Sequence, residues 1–182
     1  GGAELFTGNN LIVMAWAERR ITLTQLLRNW LLVYAGNLIG AAGAALLVYL
    51  SGADKLGGGE VAATALQITG DKLALDPGEA FFRGLLCNAL VCLAVWLSYA
   101  ARDVAGKILA IIFPVAAFVA LGFEHSVANM YFIPAGMLLG APGATIAGLL
   151  ANLIPVTAGN VVGGSVFVAM IYWLVYLRGR SG

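Results

Sequence analysis

Long apolar runs alternate with short polar breaks along this chain, and the lengths of the runs predict helices. Residues 29–50 form a stretch of about 22 residues without a charge, long enough for one full crossing of roughly 30 Å of hydrocarbon. Gly36, Gly40 and Gly43 give that stretch a small-residue face, the kind on which membrane helices approach closely. Residues 81–101 make a second crossing, charged only at Arg83 near its entrance, and residues 152–177 make the last. Residues 108–123 are as apolar, but Pro114, Gly122 and the polar cluster Glu124, His125 and Ser126 predict a helix interrupted partway through. A second half-helix over 127–139 completes that crossing. The short run 11–17 is too brief to cross alone and reads as the end of a helix whose beginning is absent. Residues 51–79 read as the polar loop of the molecule, with glycines at 57–59 and Pro77 as the start of the next helix, and 140–143 form an uncharged turn.

Composition turns this pattern into a class. Hydrophobic residues make up 61% of the chain and charged ones 10%, far from the soluble average of about a quarter charged. The chain is read as an all-α integral membrane protein in the lipid bilayer. A net charge of +1, with no basic patch interleaved with aromatics, excludes nucleic acid as a partner. Cys87 and Cys92 share one apolar run at a spacing that suits neither a zinc site nor a secreted disulfide framework, so they are packing residues, and no metal or cofactor is expected. The first residues show no basic segment followed by an apolar one, hence no signal peptide.

Basic residues in short loops set the orientation. Arg19, Arg20, Arg28, Arg102, Lys107, Arg178 and Arg180 fall on one side under this threading and Lys55, Lys72 and Arg83 on the other, which puts the C-terminus in the cytoplasm.

A repeat lies beneath the pattern. V-Y-A-G-N-L-I-G-A-A-G (33–43) and V-T-A-G-N-V-V-G-G-S-V (156–166) share A-G-N followed by two apolar residues and glycine. Upstream of each stands a Glu in a polar break, Glu4 before Asn37 and Glu124 before Asn160. One extra crossing, 81–101, separates the copies. Units of three crossings must then be inverted relative to each other, with their interrupted helices meeting near the midplane. The expected fold is an inverted repeat of three spans each, interrupted at the second and fifth, and the helix and a half that would open it are missing from the chain. Residues 1–182 form one membrane domain: 1–50 the remainder of the first repeat, 51–79 an extracytoplasmic loop, 80–182 the second repeat.

The breaks concentrate the candidate chemistry. A charge at mid-bilayer costs about 2.5 to 3.5 kcal/mol on insertion scales, so Glu124 and His125, the only histidine, need a reason to be there. An interrupted helix bares backbone N–H groups whose partial positive charge favours anions, and Thr7, Ser126 and His125 add side-chain donors. Such a place suits something small, negative and partly dehydrated. A neutral imidazole is donor and acceptor and a protonated one a donor twice; either form holds a carboxylate, and the second can hand over a proton. The other role open to His125 is a hydrogen bond between spans. Glu4 and Glu124 fit capping of the half-helices as well as transport. Phe6 and Phe118 fit constrictions or core, and Asn37, Asn88 and Asn160 fit bundle glue or pore lining.

These residues resemble the formate/nitrite transporter family. G-A-E-L-F-T-G (2–8) is similar to its first signature, around the broken second helix, and G-L-L-C-N-A-L-V-C-L-A (84–94) to its second, differing at Ala89 where a larger apolar residue is usual. G-F-E-H-S-V-A-N-M (122–130) resembles the break of the fifth helix and L-I-P-V-T-A-G-N (153–160) the start of the sixth. The motifs look closer to the formate branch than to the nitrite branch. The resemblance implies a bacterial inner-membrane homopentamer with one aquaporin-like pore per protomer, acting as a formate channel or a formate–proton symporter, or passing nitrite, hydrosulfide or other short carboxylates. It implies that His125 is the central pore histidine, Thr7 its partner, Phe6 and Phe118 constriction residues, Lys72 and Asn160 pore-associated, with Glu4, Glu124 and Asn88 supporting the breaks. The competing classes are a membrane enzyme or electron-transfer subunit, for which one histidine cannot give bis-histidine haem ligation, and a bundle subunit that transports nothing.

Overall fold

The computed structural model describes residues 4–178; Gly2 and Ala3 of the first motif, and Arg180 of the basic set, lie outside the described residues. Every regular element among the described residues is helical. A 3-10 turn over Gly8–Ile12 leads into α1 (Val13–Ala17), and then follow α2 (Leu23–Leu50), α3 (Glu60–Leu73), α4 (Pro77–Ala100), α5 (Val104–Ala120), α6 (Ser126–Leu138) and α7 (Ile146–Gly164). The chain continues α7 through two π-helical stretches, Ser165–Met170 and Trp173–Leu177. Three of these helices, Leu23–Leu50, Pro77–Ala100 and Ile146–Leu177, are long and apolar enough to cross a membrane, and α5 is a shorter apolar helix. Leu31, Ile39 and Leu47 of α2 are about 70% exposed, as expected of a surface that faces lipid or another apolar partner.

Two crossings begin earlier than the apolar runs suggest, because caps decide where a helix starts. Thr22 accepts from the Gln25 N–H and Gln25 returns the bond to the Thr22 N–H, a capping box that opens α2 at Leu23 although Arg28 lies inside it. Thr145 caps α7 through the Gly148 N–H. Asp76 caps α4 through the Gly78 N–H, with Pro77 at the first helical position as predicted.

The stretch 51–79, read as loop from its scattered charges, contains a helix of 14 residues, α3. Glycines 57, 58 and 59 all have positive φ, a left-handed turn that closes the preceding 3-10 segment and launches α3. Its inward positions Ala62, Ala65, Thr69 and Leu73 follow helical spacing, but small and polar side chains make the stripe faint in the sequence. Thr69 is fully buried and donates to the Phe132 carbonyl of α6 at 3.0 Å. At 14 residues and with charges at both ends, α3 is too short to cross, so the crossings alternate through α2, α4, the α5–α6 pair and α7. Hence α2 and α7 run in opposite senses, the inverted arrangement the repeat requires.

The α5–α6 crossing is broken where expected, although not by Pro114, which lies within α5. Helix α5 ends at Ala120, Gly122 turns the chain at φ +63°, and α6 restarts at Ser126.

Helices α4 and α7 approach closely enough that glycine is obligatory between them. A Cβ on Gly159 would stand 2.0 Å from the Phe81 carbonyl oxygen, and one on Gly163 2.1 Å from that of Leu85. Gly159→Ala is expected to cost about 1–3 kcal/mol, because the atom met is backbone and cannot swing aside. A lowered midpoint of thermal unfolding in detergent checks it, with Gly70→Ala, where a Cβ meets nothing within 4 Å, leaving the midpoint unchanged or slightly raised.

Candidate functional site

The two breaks are held by the same device. Asn160, fully buried on α7, accepts the Ser126 N–H at 2.9 Å through Oδ1 and donates through Nδ2 to the Glu124 carbonyl at 3.0 Å. Asn37 on α2 accepts the Phe6 N–H at 2.9 Å and donates to the Glu4 carbonyl at 3.1 Å. Each asparagine thus bridges the carbonyl of a glutamate and the amide two residues on, supplying the partners that an interrupted helix loses. Asn160 Nδ2 also donates to the Gly84 carbonyl at 2.8 Å, stapling α4 to the break.

The duplication reaches further than A-G-N. Asn9 and Asn129, each five residues after its glutamate, donate to that carboxylate, Asn129 at 2.6 Å. Each also donates to a second asparagine, Asn9 to Asn29 at 2.9 Å and Asn129 to Asn152 at 2.7 Å. Asn29 and Asn152 stand at the same distance before the clamp asparagines, so the repeat reads N-W-L-L-V-Y-A-G-N and N-L-I-P-V-T-A-G-N. That signal lay in the sequence and identifies four residues, Asn9, Asn29, Asn129 and Asn152, that inspection of A-G-N alone passes over. Tyr34 and Thr157, equivalent positions of the two copies, meet each other with their hydroxyls 2.9 Å apart.

Lys72 makes the copies unequal. At the last turn of α3 it places Nζ 2.9 Å from Glu124 Oε1, and its carbonyl accepts the Asn152 side chain at 2.9 Å. Lys72, Glu124, Asn129 and Asn152 therefore close a ring of hydrogen bonds, and Glu124, 4% exposed, has a partner on each oxygen. Burial of that carboxylate is tolerable only because it is so paired. The Lys72 ammonium also lies 5.7 Å from the centre of the Phe132 ring. In the first copy Glu4 is exposed and takes Asn29 where Glu124 takes lysine.

His125 is the N-cap of α6, and its geometry assigns its tautomer. Nδ1 accepts the Ala128 N–H at 3.1 Å, so in the neutral ring the proton is on Nε2, which lies 2.9 Å from Thr7 Oγ1 and donates to it. The Thr7 hydroxyl accepts in that bond and keeps its own proton for another acceptor. Thr7 is fully buried beside the first break, so this contact joins the two broken elements. Phe118 stacks on the imidazole with 5.8 Å between ring centres and a 14° angle between planes.

A cavity of about 400 Å³ opens onto His125, walled by Asp71, Lys72, Arg83, Phe118, Glu124 and Phe132 among others. Of the sequence-predicted residues, His125, Lys72, Glu124 and Phe118 line it, and the buried Thr7 stands behind His125 at hydrogen-bond distance. Phe6 is buried elsewhere, edge-on to Tyr34 at 4.8 Å and to Trp30 at 6.1 Å. Asn160 spends both ends of its amide on backbone, and Asn88, also fully buried, donates to the Asn160 carbonyl at 2.6 Å one layer behind. Cys92 lies in that layer too, its thiol 3.3 Å from the Thr7 carbonyl. Among the described residues no group of three or more His, Cys, Asp or Glu stands together to hold a metal ion.

Comparison with known proteins gives concordant matches. The sequence model of a family described as "Formate/nitrite transporter" matches residues 1–174. The formate channel FocA of Escherichia coli K12 is 44% identical over 97% of this chain and 68% of its own length. A probable formate transporter of Methanothermobacter thermautotrophicus is 43% identical over 97% of this chain and 69% of its own. Among solved structures, a pentameric formate channel with formate bound superposes at a TM-score of 0.88 with 39% identity, over 97% of this chain and 76% of that one. An FNT family ion channel superposes at 0.83 with 35% identity, over 95% of this chain and 69% of that one.

Two substitutions test the architecture of the site. Asn160→Ala strands the Ser126 amide and the carbonyls of Gly84 and Glu124, each worth about 1–3 kcal/mol when buried without a partner, and is expected to be among the most destabilising changes in the chain. Faster hydrogen exchange at the Ser126 amide distinguishes opening of the break from general loosening. Lys72→Met is expected to cost about 3–5 kcal/mol by leaving Glu124 buried and unpaired, and Lys72→Met combined with Glu124→Gln to recover most of it. Thermal unfolding of the two variants in detergent compares them directly.

Proposed function

The chain belongs to the formate/nitrite transporter family and is a membrane protein, and from that premise we propose that it carries formate and similar small monovalent anions of weak acids across the bilayer. The observation that carries this reading is the His125–Thr7 contact, made by a histidine that lines the cavity. It offers a permeating carboxylate the Thr7 hydroxyl proton and an imidazole N–H at one depth, beside the start of α6. An anion that takes over the Nε2–H or the Thr7 hydroxyl exchanges one hydrogen bond for another and loses little on shedding water. The stacked Phe118 ring keeps the approach apolar, so only a solute that gives up most of its hydration passes.

In this reading Lys72 and Glu124 hold the break in shape and set the local charge, Asn160, Asn88 and Glu4 support the backbone, and Phe6 narrows the path from the other break. Residues 1–50 belong to a first repeat, 51–79 are extracytoplasmic, and 80–182 form the second repeat. The chain works as a homopentamer in a bacterial inner membrane, its C-terminus in the cytoplasm, and performs no covalent chemistry. The matched pentameric structure and the basic residues Arg19, Arg20, Arg102 and Lys107 support these assignments.

Uptake of labelled formate and labelled nitrite into proteoliposomes tests the proposal. Formate is expected to enter faster than nitrite. His125→Asn is expected to slow it on the order of tenfold, the equivalent of about 1.4 kcal/mol for one interaction with the anion. Equal rates without the histidine would remove its role, preference for nitrite would move the substrate to that anion, and absence of any flux would leave a non-transporting bundle.

A further inference from the structure

The charged groups on the wall of the cavity are not equivalent. Lys72 is committed: its side chain is 13% exposed and it sits on the buried Glu124. Arg83 is not. Its side chain is 43% exposed, and its ion pair is with Glu79, one turn earlier on α4, at 3.3 Å, with Glu79 60% exposed. An exposed pair at this spacing is weak, so an anion arriving from solution competes with Glu79 for the guanidinium.

The main chain of the same residue is held firmly. The Arg83 carbonyl accepts the Glu124 N–H at 3.4 Å, and the next carbonyl, of Gly84, accepts Asn160. A long, weakly engaged guanidinium is thus mounted on the staple that closes the break, on the wall of the cavity that the more deeply buried His125 also lines. The four formally charged groups on the wall, Asp71, Lys72, Arg83 and Glu124, cancel, and without Arg83 the wall is net negative and repels the anion. A planar guanidinium presents paired N–H groups that match both oxygens of a carboxylate, which an ammonium cannot do.

We propose that Arg83 is the outer docking residue for the permeant, taking a small planar oxyanion such as a carboxylate in exchange for Glu79 before it passes inward to His125 and Thr7. This rests on the permeation path proposed above. Glu79 then acts as a built-in competitor that keeps the guanidinium over the mouth of the cavity when no substrate is present.

The test measures initial formate uptake by the full-length protein in liposomes, as a function of formate concentration at low and high salt, for wild type, Arg83→Gln, Arg83→Lys and Glu79→Gln. Arg83→Gln is expected to raise KM on the order of fivefold with little change in Vmax and to flatten the fall of uptake with salt, as loss of a steering charge does. Arg83→Lys is expected to restore the salt dependence but not the low KM, and Glu79→Gln to lower KM below that of wild type. Wild-type KM and salt dependence in Arg83→Gln would overturn the assignment, as would a raised KM in Glu79→Gln, which marks the pair as a brace. Should Arg83→Gln fail to assemble, Glu79→Gln decides alone: a lowered KM upholds the assignment, and an unchanged or raised one overturns it. A wild type that moves no anion removes the permeation path and this assignment together, whereas normal transport by wild type and Arg83→Gln alike removes only the role of Arg83.

Discussion

A helix broken inside an apolar medium must find partners for the backbone groups it frees, and here one side-chain amide per break supplies them. An asparagine is suited to this because its planar amide carries a donor and an acceptor with the spacing of a peptide unit. Asn160 and Asn37 lie against the gaps at 124–126 and 4–6 as a neighbouring backbone would. Without water at that depth an unpaired amide or carbonyl costs several kcal/mol, and the interruptions would heal into continuous helices or not form at all. The polar groups gathered at the breaks can stand there only because the clamps make the breaks affordable.

Once both copies are clamped alike, their differences carry the specialisation. Measured from the clamps, His125 stands in the second copy where Leu5 stands in the first. The ring of Lys72, Glu124, Asn129 and Asn152 has a counterpart lacking the lysine. A break that carries a histidine and a lysine therefore faces one that carries neither, with Thr7 reaching across between them. Helix α3 is what makes this possible, since it has no part in the repeat and delivers Lys72 to one break only.

The bundle around the breaks is tuned for close approach. Gly159 and Gly163 let α7 lie on the backbone of α4, which brings Gly84 within reach of Asn160 and Asn88 within reach of the Asn160 carbonyl. In lipid such contact replaces the hydrophobic drive that holds soluble helices together. The same closeness fixes the Arg83 main chain against Glu124, so packing and site share one set of atoms.

The hydropathy of the chain by itself determined that it is a helical membrane protein, since a run of some twenty apolar residues has few other fates. The matching A-G-N segments and the lone histidine at an interruption were enough to locate the repeat and the second break. Where α2 and α7 begin was less legible, because Thr22 and Thr145 act through cap geometry rather than hydropathy. Helix α3 was illegible, its inward face being alanine and threonine among charges. Only the tertiary structure decided which polar residues serve the backbone and which face the cavity: Asn160, His125 and Lys72 are all polar groups in an apolar setting. Their roles differ through partners 34 to 118 residues away. Such partners are chosen by how α3, α4 and α7 close around the break, and no local pattern in a chain encodes that closure.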